Sequence, residues 1–152
     1  MNAGAIAGFA NCARISKRPA LIEGTMNSTS RILIVDDEPD TLGLIELTLQ
    51  TAGFRVQTAT HGEQALRLMR NDTYDLILLD VMMPGLTGFD VVRRLREEEI
   101  PTPPIIFLTA KSSEDDIEIG EGLEAAAYLI KPTTRGQLLD AIKQALEETP
   151  GS

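Results

Sequence analysis

An α/β fold, a doubly wound (βα)5 unit around one parallel sheet, is predicted by three observations. First, four apolar runs show no polar alternation: Ile32-Leu33-Ile34-Val35, Leu76-Ile77-Leu78-Leu79, Ile105-Ile106-Phe107-Leu108 and Ala127-Tyr128-Leu129-Ile130. Runs of this kind read as parallel strands buried on both faces. Second, stretches with helical spacing of apolar residues fill the gaps between them. Third, Arg55, Val56, Gln57 and Thr58 alternate in the manner of a half-exposed edge strand. Periodicity alone does not order the strands, but an edge-like second strand favours the order 2-1-3-4-5. Right-handed crossovers then place helices on both faces of the sheet.

The elements follow in order. Strand 1 is predicted over 31–36. Helix 1 starts near Pro39, a good first-turn residue, and carries Leu42, Ile45 and Leu49 on one stripe, with Gly53 as its stop. Strand 2 covers 55–59, and helix 2 buries Ala65, Leu68 and Met69. Strand 3 covers 75–80. The loop Val81-Met82-Met83-Pro84-Gly85 leads to helix 3 near Gly88, with Phe89, Val92 and Leu95 facing inward. Pro101, Pro103 and Pro104 forbid helix ahead of strand 4. Helix 4 is predicted over 113–123, and strand 5 ends at Lys131. Helix 5 opens with Thr134-Arg135-Gly136-Gln137, a capping-box pattern. Leu138, Ala141, Ile142, Ala145 and Leu146 then form its apolar stripe.

Length and composition narrow the function classes. A chain of 152 residues with 43% hydrophobic and 24% charged residues suits one ordinary domain. A net charge of -9 argues against a nucleic-acid surface and favours a basic partner surface. Cys12 is the only cysteine, so no internal disulfide forms. No apolar stretch approaches the roughly 20 residues of a membrane span. Residues 1–30 are rich in Ala, Gly, Ser, Thr and Asn, and lack both strand runs and a sustained helical stripe. They read as a disordered arm or as the product of an upstream start, since Met26 would make a natural beginning. The expected domain covers 31–149, with no second domain after it.

The apolar runs end in residues that handle phosphates or cations: Asp36-Asp37, Asp80, Thr109 and Lys131. Open parallel sheets bind ligands outside the carboxyl ends of their strands, so these side chains should meet. Three adjacent carboxylates repel, and without compensation at least one pKa rises. A hard divalent cation such as Mg²⁺ relieves that repulsion with oxygen ligands. An ionised Asp can also attack phosphorus, with the metal, Lys131 and a hydroxyl sharing the charge of the transferring group. Each residue has a plainer reading. Asp36 and Asp37 could cap the helix at Pro39, Asp80 could be a turn residue, Thr109 could cap a loop, and Lys131 could be a solvated strand end. His61 reads as a surface loop residue, and Glu97-Glu98-Glu99 as a solvated helix end. The site rests on the conjunction at four strand ends.

From Arg31 to about Glu148 the chain resembles the receiver domain of bacterial two-component response regulators, a family of flavodoxin-like folds. The resemblance lies in Ile-Val-Asp36-Asp37-Glu38-Pro39, Asp75-Leu-Ile-Leu-Leu-Asp80-Val-Met82-Met83-Pro84-Gly85-Leu-Thr-Gly88, Phe-Leu-Thr109-Ala110-Lys111 and Ala127-Tyr128-Leu-Ile-Lys131-Pro132. It implies that Asp80 is the phospho-acceptor and that Asp36 and Asp37 hold Mg²⁺, completed by Asp80 and the backbone carbonyl of Met82. It implies that Lys131 pairs with phosphoryl oxygens, and that Thr109 moves inward with Tyr128 as the switch. The Lys131-Pro132 peptide should be cis. Two departures lie on the signalling side: Glu124-Ala125-Ala126-Ala127 replaces the usual Gly-Ala-Asp-Asp, so helix 4 is expected to end differently, and Thr133 replaces an aromatic.

The implied function is that of a stand-alone cytoplasmic switch or relay. It would take a phosphoryl group from a histidine kinase or a histidine phosphotransfer protein, and signal to a protein target through the strand 4–helix 4–strand 5 face. It would catalyse its own phosphorylation and slow hydrolysis without being a dedicated enzyme. Two other classes stay open at this point. An aspartyl-nucleophile phosphohydrolase would want a second acid at the position of Met82, and rapid turnover of a small phosphate ester would mark it. A flavodoxin-like binding module would want a phosphate cradle where Asp36-Asp37-Glu38 stands, and flavin absorbance would mark it.

Overall fold

A computed structural model describes residues 30–110 and 114–147. The predicted arm at 1–30 (apart from Ser30) and the predicted boundary at 149 lie outside the described residues. The described residues alternate five strands and five helices: β1 (Arg31–Val35), α1 (Pro39–Thr51), β2 (Arg55–Ala59), α2 (Gly62–Asn71), β3 (Leu76–Asp80), α3 (Gly88–Glu97), β4 (Ile105–Thr109), α4 (Glu114–Gly122), β5 (Ala127–Ile130) and α5 (Arg135–Glu147). All pairings are parallel, and the sheet order is β2-β1-β3-β4-β5, as the half-exposed second strand suggests.

Alternate residues of each strand feed two cores, because successive side chains of a strand point to opposite faces. Leu33, Val35, Ile77, Leu79, Ile105 and Phe107 pack with the apolar stripes of α2 and α3, and Ile119 of α4 and Leu123 just after it join them. Ile32, Ile34, Leu76, Leu78, Ile106 and Leu108 pack against α1 and α5, through Leu42, Ile45, Leu49, Leu138, Ile142 and Ala145. β3 and β4 are buried along their whole lengths, and β1 is buried from Ile32 onward. The fourth apolar run departs from expectation. β5 is only partly buried and Ile130 is 48% exposed. The reason is its place at the end of the sheet order, where one edge has no neighbouring strand among the described residues.

The helix ends largely follow local chemistry. Pro39 opens α1. Thr87 and Asp90 form a reciprocal capping box on α3, and Thr134 and Gln137 form the predicted one on α5. His61 is exposed and caps α2, its Nδ1 accepting the Gln64 amide. Among the described residues no helix is long and apolar enough to cross a membrane.

Candidate functional site

Strand register assembles the pocket. Val35 is level with Leu79, so Asp36, one residue on, is level with Asp80. Asp80 is level with Leu108, so Thr109 lies one step further along the same edge. Thr109 is level with Ile130, which puts Lys131 just past the last strand. Backbone bonds carry the ladder past the strand ends: the amides of Asp36, Val81 and Lys131 donate to the carbonyls of Ala59, Leu108 and Thr109.

Gly88 fixes Asp80 from behind. A Cβ there would come within 2.5 Å of the Asp80 carbonyl oxygen, and the Gly88 amide donates to the Val81 carbonyl. Only glycine lets the start of α3 press this closely on the acidic strand end. Sequence reasoning placed a helix start at Gly88 but not this role. The signal was a glycine at a helix start eight residues after a strand-terminal Asp.

The predicted acids converge. One carboxylate oxygen each from Asp36, Asp37 and Asp80 lies within 4.8 Å of the others. Asp36 and Asp80 are buried, while Asp37 is exposed at the mouth. Lys131 Nζ lies 2.6 Å from Asp36 Oδ2 and 3.5 Å from Asp80 Oδ2. The other oxygen of each buried acid is held by backbone: Asp36 Oδ1 accepts the Glu38 amide at 2.9 Å, and Asp80 Oδ1 accepts the Met82 amide at 3.2 Å. Glu38 is the N-cap of α1 and makes no side-chain cap bond. Asp36 therefore faces the pocket rather than serving the helix, and the capping reading of Asp36 fails.

The electrostatics match the crowding. Burial, reinforced by the charge of Asp36, pushes the Asp80 carboxyl up to about 6, against the pull of Lys131 and the Met82 amide. Burial draws the Lys131 ammonium down, but the hydrogen bond to Asp36 and the charges of Asp80 and Asp36 outweigh it and leave it raised. One lysine facing three carboxylates leaves excess negative charge, which a hard cation with oxygen ligands would neutralise. The donor set is all oxygen, with no His or Cys, and fits Mg²⁺ rather than zinc.

Met82 projects its side chain outward, 51% exposed, so no second acid stands over Asp80 from that position. Thr109 is fully buried. Tyr128 turns inward, its ring centroid 6.2 Å from that of Phe107 and its hydroxyl shielded from solvent. Burial pushes its phenol up, Asp116 adds to this, and neighbouring Thr109 offsets part of it. Lys131-Pro132 is cis, as the resemblance implied.

Comparison with known proteins agrees with this geometry. Residues 32–143 match the response regulator receiver domain. The transcriptional regulatory protein AfsQ1 of Streptomyces coelicolor is 45% identical over 112 residues, covering 72% of this chain and 48% of that protein. The alkaline phosphatase synthesis transcriptional regulatory protein PhoP of Bacillus subtilis is 38% identical, covering 78% of this chain and 49% of that protein. The chain thus spans about half the length of the curated relatives it matches. The chemotaxis protein CheY4 of Vibrio cholerae superposes with a TM-score of 0.73 at 33% identity, over 78% of this chain and 99% of that one. The response regulator TrrA of Thermotoga maritima, solved in complex with Mg²⁺-BeF, superposes with a TM-score of 0.69 at 35% identity, over 78% and 100%. Matched motifs, strand order and acidic pocket together establish that the chain belongs to the response regulator receiver domain family of two-component signalling.

Proposed function

We propose that this domain, spanning about 31–149 with residues 1–30 as an arm outside it, accepts a phosphoryl group onto Asp80 and acts as a cytoplasmic switch or relay. The donor is a phosphohistidine on a histidine kinase or a histidine phosphotransfer protein. The observation that carries the reading is Lys131 Nζ lying 2.6 Å from Asp36 and 3.5 Å from Asp80, two buried acids in a cluster of three carboxylates.

Asp36, Asp37 and Asp80 would hold Mg²⁺, helped by the backbone carbonyl of Met82. When bound, Mg²⁺ neutralises the carboxylates and the charge developing on the transferring phosphoryl group. An ionised Asp80 oxygen attacks phosphorus, the P–O bond forms as the P–N bond breaks, and the electron pair leaves with the imidazole nitrogen, which takes a proton from water. Lys131 turns from Asp36 toward a phosphoryl oxygen, and the Thr109 hydroxyl donates to another. Tyr128 follows Thr109, which shifts an existing equilibrium of the β4–α4–β5 face that a protein target reads. Water later attacks phosphorus and releases phosphate, restoring Asp80. This is self-catalysed turnover in a signalling domain, not the work of a dedicated enzyme. The domain's own contacts are with protein and not with nucleic acid, in keeping with its net charge of -9.

Phosphotransfer profiling against a panel of phosphorylated kinases tests the reading. Rapid, Mg²⁺-dependent label transfer from one kinase, abolished by Lys131→Ala and Asp80→Asn, is expected. Transfer that persists in Asp80→Asn at the wild-type rate would contradict it.

A further inference from the structure

Gly120 lies on the inner side of α4, against Tyr128. A Cβ at this position would come within 3.1 Å of Tyr128 Cδ2 and 3.3 Å of Cε2, and 3.5 Å from Phe107 Cδ2. The first two distances are too tight, so a neighbour would have to give. Phe107 is fully buried and held edge-on by Phe89 at 4.9 Å, so it has no room to retreat. Tyr128 sits on the edge strand β5, partly exposed, and can swing outward. Its hydroxyl is shielded from water beside Thr109, and its ring packs against Phe107 with centroids 6.2 Å apart. Gly122, two residues on in the same helix, has nothing within 4 Å of a Cβ.

We propose that Gly120 is a positioning residue for the switch: the missing side chain gives the Tyr128 ring its inward seat beside Thr109, and bulk at residue 120 tips the ring outward. The link from ring position to Asp80 rests on the function proposed above, but the position itself is measurable without phosphorylation.

The chain has two tyrosines and no tryptophan, so 3-fluorotyrosine labelling of the full chain gives two ¹⁹F resonances, assigned with Tyr74→Phe. In the unphosphorylated protein, Gly120→Ala is expected to move the Tyr128 resonance toward that of free fluorotyrosine and to raise its solvent isotope shift. Gly122→Ala, which adds the same helix propensity without a contact, should change neither. An unmoved Tyr128 resonance in Gly120→Ala would overturn the proposal. If Gly120→Ala fails to fold, a Tyr128→Ala background decides. There Gly120→Ala should raise Tm as Gly122→Ala does, whereas equal loss of stability in both backgrounds would overturn it. On treatment with phosphoramidate and Mg²⁺, Gly120→Ala should still take up phosphate but show a smaller Tyr128 shift than wild type. Wild-type protein that took up no phosphate would contradict the proposed function, while the unphosphorylated ring readout would still decide the role of Gly120.

Discussion

Asp80, the proposed phospho-acceptor, shows what a buried acid costs its own fold. Its carboxyl is buried beside Asp36 and is pushed up to about 6. An acid whose folded-state pKa exceeds its unfolded value of 3.8 binds more protons folded than unfolded between those values. The metal-free protein should therefore lose stability as pH rises through that window, with no penalty from this group below about pH 4. The loss is on the order of 1–3 kcal/mol, moderated by the Lys131 contact. Asp80→Asn removes the penalty. Urea melts without divalent cations should show Asp80→Asn close to wild type near pH 4 and more stable at pH 7. Equal stability at pH 7 would contradict this origin of the strain. At this scale the sequence was informative because each acid ends a strand, and register does the rest. Gly88 was not legible as a support, since nothing in the sequence says how closely a helix start approaches a carbonyl. Nor did it show that Lys131 would bond to Asp36 more closely than to Asp80.

Among elements, the helix ends carry the surprise. α1 ends as its sequence suggests: Gly53 takes a φ of 100°, and the Phe54 and Gly53 amides donate to the carbonyls of Leu49 and Gln50. α3 and α4 use the same paired bonds with glutamates in the left-handed position, Glu99 at 59° and Glu124 at 64°. Glycine was missing at 124, yet the turn kept its shape. The Ala125 amide still reaches the Gly120 carbonyl, and Arg96 Nη2 on α3 donates to the Leu123 carbonyl at 2.5 Å. These bonds outweigh a left-handed cost of about 1–2 kcal/mol for a residue with a Cβ. Glu124→Gly should therefore raise stability by roughly 1 kcal/mol in denaturant melts. A loss would show that Glu124 makes a compensating contact. The same logic explains why Glu97-Glu98-Glu99 is more than a solvated helix end: Glu98 pairs with Arg70 of α2 at 2.6 Å, and Glu99 forms the turn. Sequence pattern reads caps from residue type, so it misses caps built by backbone geometry.

For the whole molecule, one divalent cation should couple the pocket to the stability of the domain. Binding to the folded state alone adds about 1.4 kcal/mol at ten times Kd. Thermal scans at pH 7 should show Tm rising with Mg²⁺ in wild type and rising less in Asp36→Asn. A flat response to Mg²⁺ would argue against the metal site. The sheet order was legible because one strand alternated and four did not. The partial burial of β5 was not, since an apolar run reads alike in the middle of a sheet and at its edge. That edge holds Tyr128, which is why the part of the site expected to move lies where the packing is least complete.

The central claim is that Asp80 is the residue that receives the phosphoryl group. Incubation with phosphoramidate and Mg²⁺, followed by borohydride reduction and peptide mass mapping, tests it most directly, because borohydride converts an acyl phosphate to an alcohol at the modified position. The expected result is a single reduced site at residue 80 in wild type, and none in Asp80→Asn or in protein treated without Mg²⁺. Reduction at Asp36, Asp37 or any other carboxylate with residue 80 intact would contradict it.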